Sequence, residues 1–117
     1  MWKNNLRPKL TVQFYTQDKC FGPGVALLLS RVQEHHSLRA AAMSVGMAYS
    51  KAWTIMKHAE QELGMRLLNS TTGGKRGGGA TLTLEGERLL ADYTDYVNQL
   101  NAHSEALFQE KFSWLTE

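Results

Sequence analysis

The chain has 117 residues, of which 43% are hydrophobic, and this is enough for one domain with a real core. Its single cysteine, Cys20, excludes an internal disulfide and fits a reducing cytoplasm, while no apolar run approaches the ~18 residues of a transmembrane helix. The net charge at pH 7 is only +2, so the whole-chain charge is a weak indication of any partner.

Charge is distributed unevenly along the sequence. Residues 1–36 hold five Lys or Arg and two Asp or Glu, and residues 37–83 hold six and two. Residues 84–117 hold two and seven, which makes this end of the chain acidic. A polyanion would therefore be attracted to one part of the molecule and repelled from the other.

The first predicted element is a strand over residues 10–16, where side chains alternate and β-branched and aromatic residues are frequent. Pro8 suits the start of such a strand or a sheet edge. We expect this strand to pair with the two wing strands described below, or with its own copy in a partner chain. Residues 18–20 are predicted to turn the chain.

The second predicted element is a helix over about residues 23–35. A cluster of breaker residues over positions 21–24 leads into it. Its apolar residues recur at helical spacing, which places them on one face. These residues are Val25, Leu28, Leu29 and Val32.

Residues 37–63 have the pattern of two helices joined by a tight turn. Ser37 is a good N-cap for the first helix, because its hydroxyl can accept a hydrogen bond from a backbone N–H of the first turn. Gly46 ends the first helix, where a positive φ costs glycine little, and Gly64 ends the second, which begins near Ala48. This pattern predicts a helix-turn-helix, which places the start of its second helix in a DNA major groove.

The start of the second helix supplies the side chains that would meet DNA. Lys51 can reach guanine O6 and N7, Ser50 can bond a base or a phosphate, and the Ala48 methyl can touch a thymine methyl. Residues further along this helix and at the start of the first helix complete the set. The predicted contacts are Ser37, Arg39, Ala48, Tyr49, Ser50, Lys51, Thr54 and Lys57.

Several of these positions have a structural alternative. Tyr49 could instead pack under the turn, and Lys51 and Lys57 could be solvated lysines without a partner. Trp53 shares a helical face with Ala52 and Met56, so we predict that it lies in the core.

The next segment predicts a wing, made of two short strands over residues 66–70 and 80–84. The loop between them holds five glycines together with Lys75 and Arg76, and such a loop cannot pack a core. It can approach a phosphate backbone without side-chain clashes, or insert into the minor groove. The predicted wing contacts are Thr72, Lys75 and Arg76, and the alternative is a loop that never touches DNA.

The last predicted element is a long helix over about residues 84–110. Thr83 is a fair N-cap, and Glu85 and Glu87 suit the positive end of the helix dipole. The helix would be ~37 Å long, and one small domain cannot cover an apolar stripe of that length, whereas a second subunit can. Residues 112–115 are either a frayed tail or a docking tip. The stripe comprises Leu89, Leu90, Tyr93, Tyr96, Val97, Leu100 and Leu107.

The residues do not indicate an enzyme. A P-loop requires Ser or Thr after its lysine, whereas Arg76 follows Lys75 here. Adjacent His35 and His36 would point about 100° apart on a helix, and no recognised ligand spacing joins them to Cys20, His58 or His103. No Ser/His/Asp or paired-carboxylate arrangement stands out, so we expect no catalytic site, no cofactor and no metal.

Two stretches resemble the N-terminal DNA-binding domain of the ModE family of molybdate-responsive bacterial repressors and, more distantly, the LysR-type winged helix. They read SLRAAAMSVGMAYSKAW and LLNSTTGGKRGGGATLTLEGERLL, and the resemblance covers roughly residues 9–108. The full-length repressors carry a C-terminal pair of molybdate-binding domains, which this chain lacks, so we expect no molybdate binding by these 117 residues.

The resemblance also implies a homodimer built on the first and last long helices. The interface residues expected from it are Val25, Leu28, Leu29, Leu89, Tyr93, Tyr96, Val97, Leu100 and Leu107.

The predicted fold is therefore mainly α with a small β wing, a single winged helix-turn-helix domain over residues 1–117. The predicted function is that of a cytoplasmic, nucleoid-associated bacterial transcriptional regulator, a homodimer that reads a palindromic DNA site and has no membrane partner. The alternative is a winged-helix module that binds protein and reads no DNA. The basic wing and the charge gradient favour the regulator.

Overall fold

The computed structural model describes residues 5–71 and 79–116. Most of these residues are helical, and the strands form two small antiparallel sheets, as the sequence predicts for this fold class. The elements in chain order are β1 (Phe14–Tyr15), β2 (Lys19–Phe21), α1 (Pro23–His35), α2 (Leu38–Ser44), α3 (Tyr49–Leu63), β3 (Leu68–Thr71), β4 (Gly79–Leu82) and α4 (Leu84–Thr116).

The first strand is much shorter than predicted and has a different partner. Only Phe14–Tyr15 is strand, and it pairs with Lys19–Phe21, so the prediction that residues 18–20 only turn the chain is wrong in part. The turn is closed by the Thr16 N–H, which donates to the Asp18 carbonyl over 3.0 Å. Because this tight turn brings the chain back at once, the pairing is local, between β1 and β2, and the wing strands form a separate sheet.

Helix α1 has the predicted bounds and lies at the centre of the core. Pro23 opens it, where the missing N–H costs nothing. Leu28, Leu29 and Val32 are fully buried, and Val25 is buried with them. The predicted dimer contacts of Val25, Leu28 and Leu29 are therefore wrong, because these side chains are already covered by their own protomer.

Tyr93 of α4 is a fourth predicted dimer contact that the structure places in the core. Its ring packs edge-on against Phe14 and Phe21, with centroid distances of 5.6 and 5.0 Å. Its hydroxyl donates to the Val12 carbonyl over 2.7 Å, and burial raises the pKa of this phenol. Tyr93 thus fastens the N-terminal hairpin to α4 and is not available to a partner.

The wing strands and the start of α4 form one joint. β3 and β4 pair antiparallel from Leu68↔Leu82 to Thr71↔Gly79, so they begin and end one or two residues away from the predicted bounds. Thr83 caps α4 as predicted, since its Oγ1 accepts from the Gly86 N–H over 2.9 Å. The same hydroxyl donates to the Arg66 carbonyl over 2.7 Å, which ties the helix to the wing base.

Helix α4 is longer than predicted. It runs for 33 residues through Thr116, which is ~50 Å, whereas the sequence predicted an end near residue 110. No Gly or Pro follows Gly86, so nothing in the sequence terminates the helix. Residues 112–115 are helical within it. Among the described helices, none has the apolar length needed to cross a membrane.

Candidate nucleic-acid interface

The helix-turn-helix forms as the sequence predicts, with local signals at each boundary. The Ser37 hydroxyl accepts a hydrogen bond from the Ala40 N–H over 3.1 Å and so caps α2. Gly46 in the turn and Gly64 at the end of α3 adopt φ values of +71° and +70°, which glycine tolerates best. Alanines at the contact let α2 and α3 pack closely; those fully buried are Ala41, Ala42, Ala52 and Ala59.

Helix α3 presents a polar outer face. Ala52, Met56 and Ala59 form its buried side, and Ser50 and Thr54 are exposed on the opposite side. The Thr54 hydroxyl donates to the Ser50 carbonyl over 2.9 Å. Its oxygen therefore remains an acceptor, which suits the amino groups of adenine N6 or cytosine N4 in a major groove.

Two predicted contacts at the start of α3 are on the surface as expected. Ala48 occupies the N-cap position of α3, and Lys51 is exposed in its first turn. Since each helical residue turns by about 100°, Lys51 lies on the flank of the outer face beyond Ser50, on the side of Ile55 and the N-terminal hairpin. Its ammonium group can therefore extend into solvent towards a bound polyanion.

Trp53 is not in the core, contrary to the prediction. Its side chain is 48% exposed, although its neighbour Ala52 is fully buried. One residue turns the helix by about 100°, which is enough to move a side chain from the buried side to its margin. The Lys57 ammonium lies 5.7 Å from the centroid of the Trp53 ring, within the range of a cation–π contact.

Tyr49 and Arg39 form a second cation–aromatic pair, between α3 and α2. The Arg39 guanidinium carbon lies 4.2 Å from the Tyr49 ring centroid. Tyr49 remains partly exposed, so it does not pack under the turn. The outer surface of the helix-turn-helix thus carries aromatic rings, cations and hydroxyls together, and these groups contact bases and phosphates in DNA complexes.

Glu60 is a positioning residue that the sequence analysis missed. One carboxylate oxygen accepts from the N–H groups of Leu67 and Leu68 over 2.8 and 3.1 Å. The other oxygen lies 3.4 Å from the Lys57 ammonium, and the side chain is only 10% exposed. Glu60 therefore joins α3 to the base of the wing. A carboxylate on the apolar side of a predicted helix was the available signal.

The predicted contacts of the wing tip, Thr72, Lys75 and Arg76, lie outside the described residues. The wing is described up to Thr71 in β3 and from Gly79 in β4. The backbone of β4 is also tied to α1, because the Ala80 N–H donates to the His36 carbonyl over 2.9 Å. The base of the wing is thus held by three helices, α1, α3 and α4.

Helix α4 leaves several large apolar side chains exposed. Tyr96 is 50% exposed, and Leu107, Phe112 and Trp114 are also exposed. A shallow groove of about 300 Å³ lies between α4 and α1, where Leu27 is exposed beside Leu90 and Val97. Of the predicted dimer residues on α4, Leu89, Val97 and Leu100 are half-buried.

A larger cavity of about 490 Å³ lies between the N-terminal hairpin, the start of α1 and α3. Cys20 lines it, but the thiol is buried and its sulfur lies 3.5 Å from the Phe14 carbonyl oxygen. His58 lines it from α3. Within residues 5–71 and 79–116, no three His, Cys, Asp or Glu side chains come together as metal ligands would.

Comparison with known proteins identifies the family and a similar fold. Residues 27–87 match the family described as bacterial regulatory helix-turn-helix protein, lysR family. The fold resembles the crystal structure of a complex between the CbnR DNA-binding domain and DNA, with a TM-score of 0.54 and 22% identity over 72% of this chain and 94% of that one.

Among curated proteins, the chain is similar to the molybdenum-pterin-binding protein MopB of Rhodobacter capsulatus, with 39% identity over 56% of this chain and 24% of that protein. It is 33% identical to the transcriptional regulator ModE of Haemophilus influenzae over 72% of this chain and 32% of that protein. For the dual regulator ModE of Escherichia coli K12 the values are 32%, 75% and 34%. The chain thus spans about a quarter to a third of the length of these relatives.

Proposed function

Because the chain belongs to the lysR family of bacterial regulatory helix-turn-helix proteins, we propose that it is a sequence-specific transcriptional regulator that reads DNA with α3 in the major groove. The observation that carries this proposal is the outer surface of the helix-turn-helix. It combines a polar helix start at Ser50 and Thr54 with the Arg39–Tyr49 and Lys57–Trp53 pairs. The relatives named as transcriptional regulators and the DNA complex of the similar fold support it.

The proposed contacts are of two kinds, those to the phosphate backbone and those to base edges. Arg39 and Ser37, at the start of α2, lie where a phosphate backbone passes beside a helix-turn-helix. Ser50, Lys51 and Thr54 would meet base edges. Arg39 keeps its guanidinium edge available while its face rests on Tyr49, so stacking and phosphate binding are compatible. Molybdate has no part in the proposal, and the site of action is the chromosome in the cytoplasm.

The protein would act as a homodimer on a palindromic site. Exposed Tyr96, Leu107 and Trp114 support this, because they lie on one side of α4 and monomers seldom leave such apolar patches in water. The groove between α1 and α4 is a further apolar surface, where Leu27 is exposed beside Leu90 and Val97. Acidic residues further along α4, such as Asp95, Glu105 and Glu110, would keep this part of the molecule away from a phosphate backbone.

Sedimentation equilibrium at micromolar concentration is expected to give about twice the chain mass of 13.2 kDa. Leu107→Asp should shift the protein towards monomer, because it places a charge in the proposed apolar interface. Gln109→Asp introduces the same charge at an exposed position two residues away and should remain dimeric. A monomeric wild type, or an equal response of both variants, would contradict the proposed interface.

The DNA-binding proposal is tested by selecting binding fragments from random DNA and measuring affinity for the selected site against salt. A protein that neutralises phosphates loses affinity steeply as salt rises, because bound counterions are released. Replacing Lys75 and Arg76 with Ala should weaken binding to all sequences alike. It should also reduce the slope of log affinity against log salt by about one unit for each phosphate that is no longer neutralised.

The matched control removes two positive charges elsewhere. Lys9→Ala with Lys111→Ala changes the net charge equally, and both positions are exposed away from the helix-turn-helix, Lys9 beside Asn101 and Glu105 of α4. Its salt slope should stay at the wild-type value. If the two double variants behave alike, the wing makes no local contact. If the wild type enriches no sequence at all, the proposed function is wrong.

A further inference from the structure

Trp53 is the large apolar side chain that α3 turns outward at the proposed reading surface. Ala52 before it and Met56 after it are buried, whereas the Trp53 indole is half exposed. Exposing an indole to water forfeits much of the stabilisation that its burial would give. Trp side chains that are partly buried and partly in contact with water are enriched at interaction surfaces.

The Trp53 ring is oriented by its neighbours. Tyr49, Trp53 and Lys57 follow one another at intervals of four residues, so they form a row along one margin of α3. The Lys57 ammonium lies near one face of the indole and is itself held by Glu60, 3.4 Å away. At the other end of the row, Arg39 rests on Tyr49. The indole therefore lies in a row of side chains that has a cation–aromatic contact at each end.

The indole lies beside the polar residues that the proposed function puts against base edges. Trp53 directly precedes Thr54 and lies three residues, about one turn, after Ser50. An apolar ring at that position has one apolar group to meet in the major groove, the C5-methyl of thymine. The indole N–H can only donate, so it does not by itself distinguish a base acceptor from a phosphate.

We propose that Trp53 is a specificity-determining residue that reads thymine, by packing its indole ring against the C5-methyl group in each half-site. The inference rests on the proposed function, since it requires α3 to lie in the major groove. It goes further by assigning one side chain, one base and one chemical group. Ser50 and Thr54 would then supply the polar part of the same reading.

The test replaces thymines in the selected site one at a time with deoxyuridine, which removes only the methyl group. The wild type should lose about fourfold in affinity at one thymine of each half-site, the factor expected for withdrawing one methyl from an apolar contact. Trp53→Ala should bind the thymine and uracil forms of that site equally. Competition binding at fixed salt measures both ratios.

Tyr15→Ala is the matched control, because it removes an exposed aromatic ring from the N-terminal hairpin, outside the helix-turn-helix and the proposed dimer surface, and should keep the wild-type response to uracil. A wild type that binds its selected site but responds to no uracil overturns the inference, while DNA reading by α3 stands. A uracil response that persists unchanged in Trp53→Ala also overturns it. The deoxyuridine scan changes only the DNA, so its result for the wild type does not depend on whether Trp53→Ala folds. Absence of any selected site would instead refute the proposed function itself.

Discussion

Replacing Gly86 with alanine is expected to lower the free energy of unfolding by about 3 kcal/mol or more, as severe overpacking does. A Cβ at this position would overlap the carbonyl oxygen of Leu67, which is backbone and cannot rotate away. The helix cannot shift to make room either. Its first turn is held by Thr83, whose Oγ1 accepts from the Gly86 N–H and donates to the Arg66 carbonyl.

Gly24→Ala is the matched control for this prediction. Gly24 lies in the first turn of α1, and an added Cβ there would have no atom within 4 Å. Alanine should therefore leave the stability unchanged or raise it by about 0.5–1 kcal/mol through its better helix propensity. Urea unfolding followed by circular dichroism measures both variants. Similar midpoints for Gly86→Ala and the wild type would show that the backbone of the wing base can move to make room for the added Cβ.

Replacing Glu60 with alanine is expected to destabilise the protein by about 3 kcal/mol, because it leaves two buried N–H groups without an acceptor. These N–H groups belong to Leu67, which is fully buried, and to Leu68. The stability of Glu60→Gln should fall between those of the wild type and Glu60→Ala, since its amide oxygen can still accept but carries no charge to pair with Lys57. Chemical denaturation of the three proteins gives the ranking.

Glu62→Ala tests whether any glutamate on α3 would behave in this way. The Glu62 carboxylate accepts a hydrogen bond from the Thr16 hydroxyl, but it is exposed, so its loss should cost under about 1 kcal/mol. Equal losses for Glu60→Ala and Glu62→Ala would mean that the wing base does not depend on the buried carboxylate.

Local signals in the sequence predicted the helix-turn-helix correctly. Ser37, Gly46 and Gly64 act on their own turns of chain, through a hydroxyl cap or a positive φ, and so no distant contact is needed to interpret them. The same holds for Thr83 at the start of α4.

Predictions that depended on distant partners were less successful. The alternation over residues 10–16 correctly predicts which side chains face the core, because Val12 and Phe14 are half-buried between exposed neighbours. It does not predict which residues pair with another strand, and only Phe14–Tyr15 does so. For Val25, Leu28 and Leu29 the sequence could not tell burial within the protomer from burial against a partner. Trp53 shows the limit of periodicity, since one residue separates the two faces.

The residues predicted to contact bases stay a prediction. The sequence did not predict the contacts that hold α2, α3 and the wing base together. Glu60 acts through two backbone N–H groups seven and eight residues away, and Arg39 acts on a ring of the next helix. Pairs of this kind depend on how segments pack against each other, which periodicity does not encode.

The contacts of Thr83 and Gly86 fix the first turn of α4, so a small tilt at this end moves the far end of the helix much further. Its first turn is hydrogen-bonded to the wing base, and Glu60 joins that base to α3, so we expect α3 and α4 to move together. A tilt of about 5° carries the far end of a ~50 Å helix through about 4 Å. That displacement is close to the ~3.4 Å rise of one base pair. In the proposed dimer, the angle at which the two α4 helices cross would therefore set the spacing of half-sites. A change in that crossing at their C-terminal ends would alter the spacing.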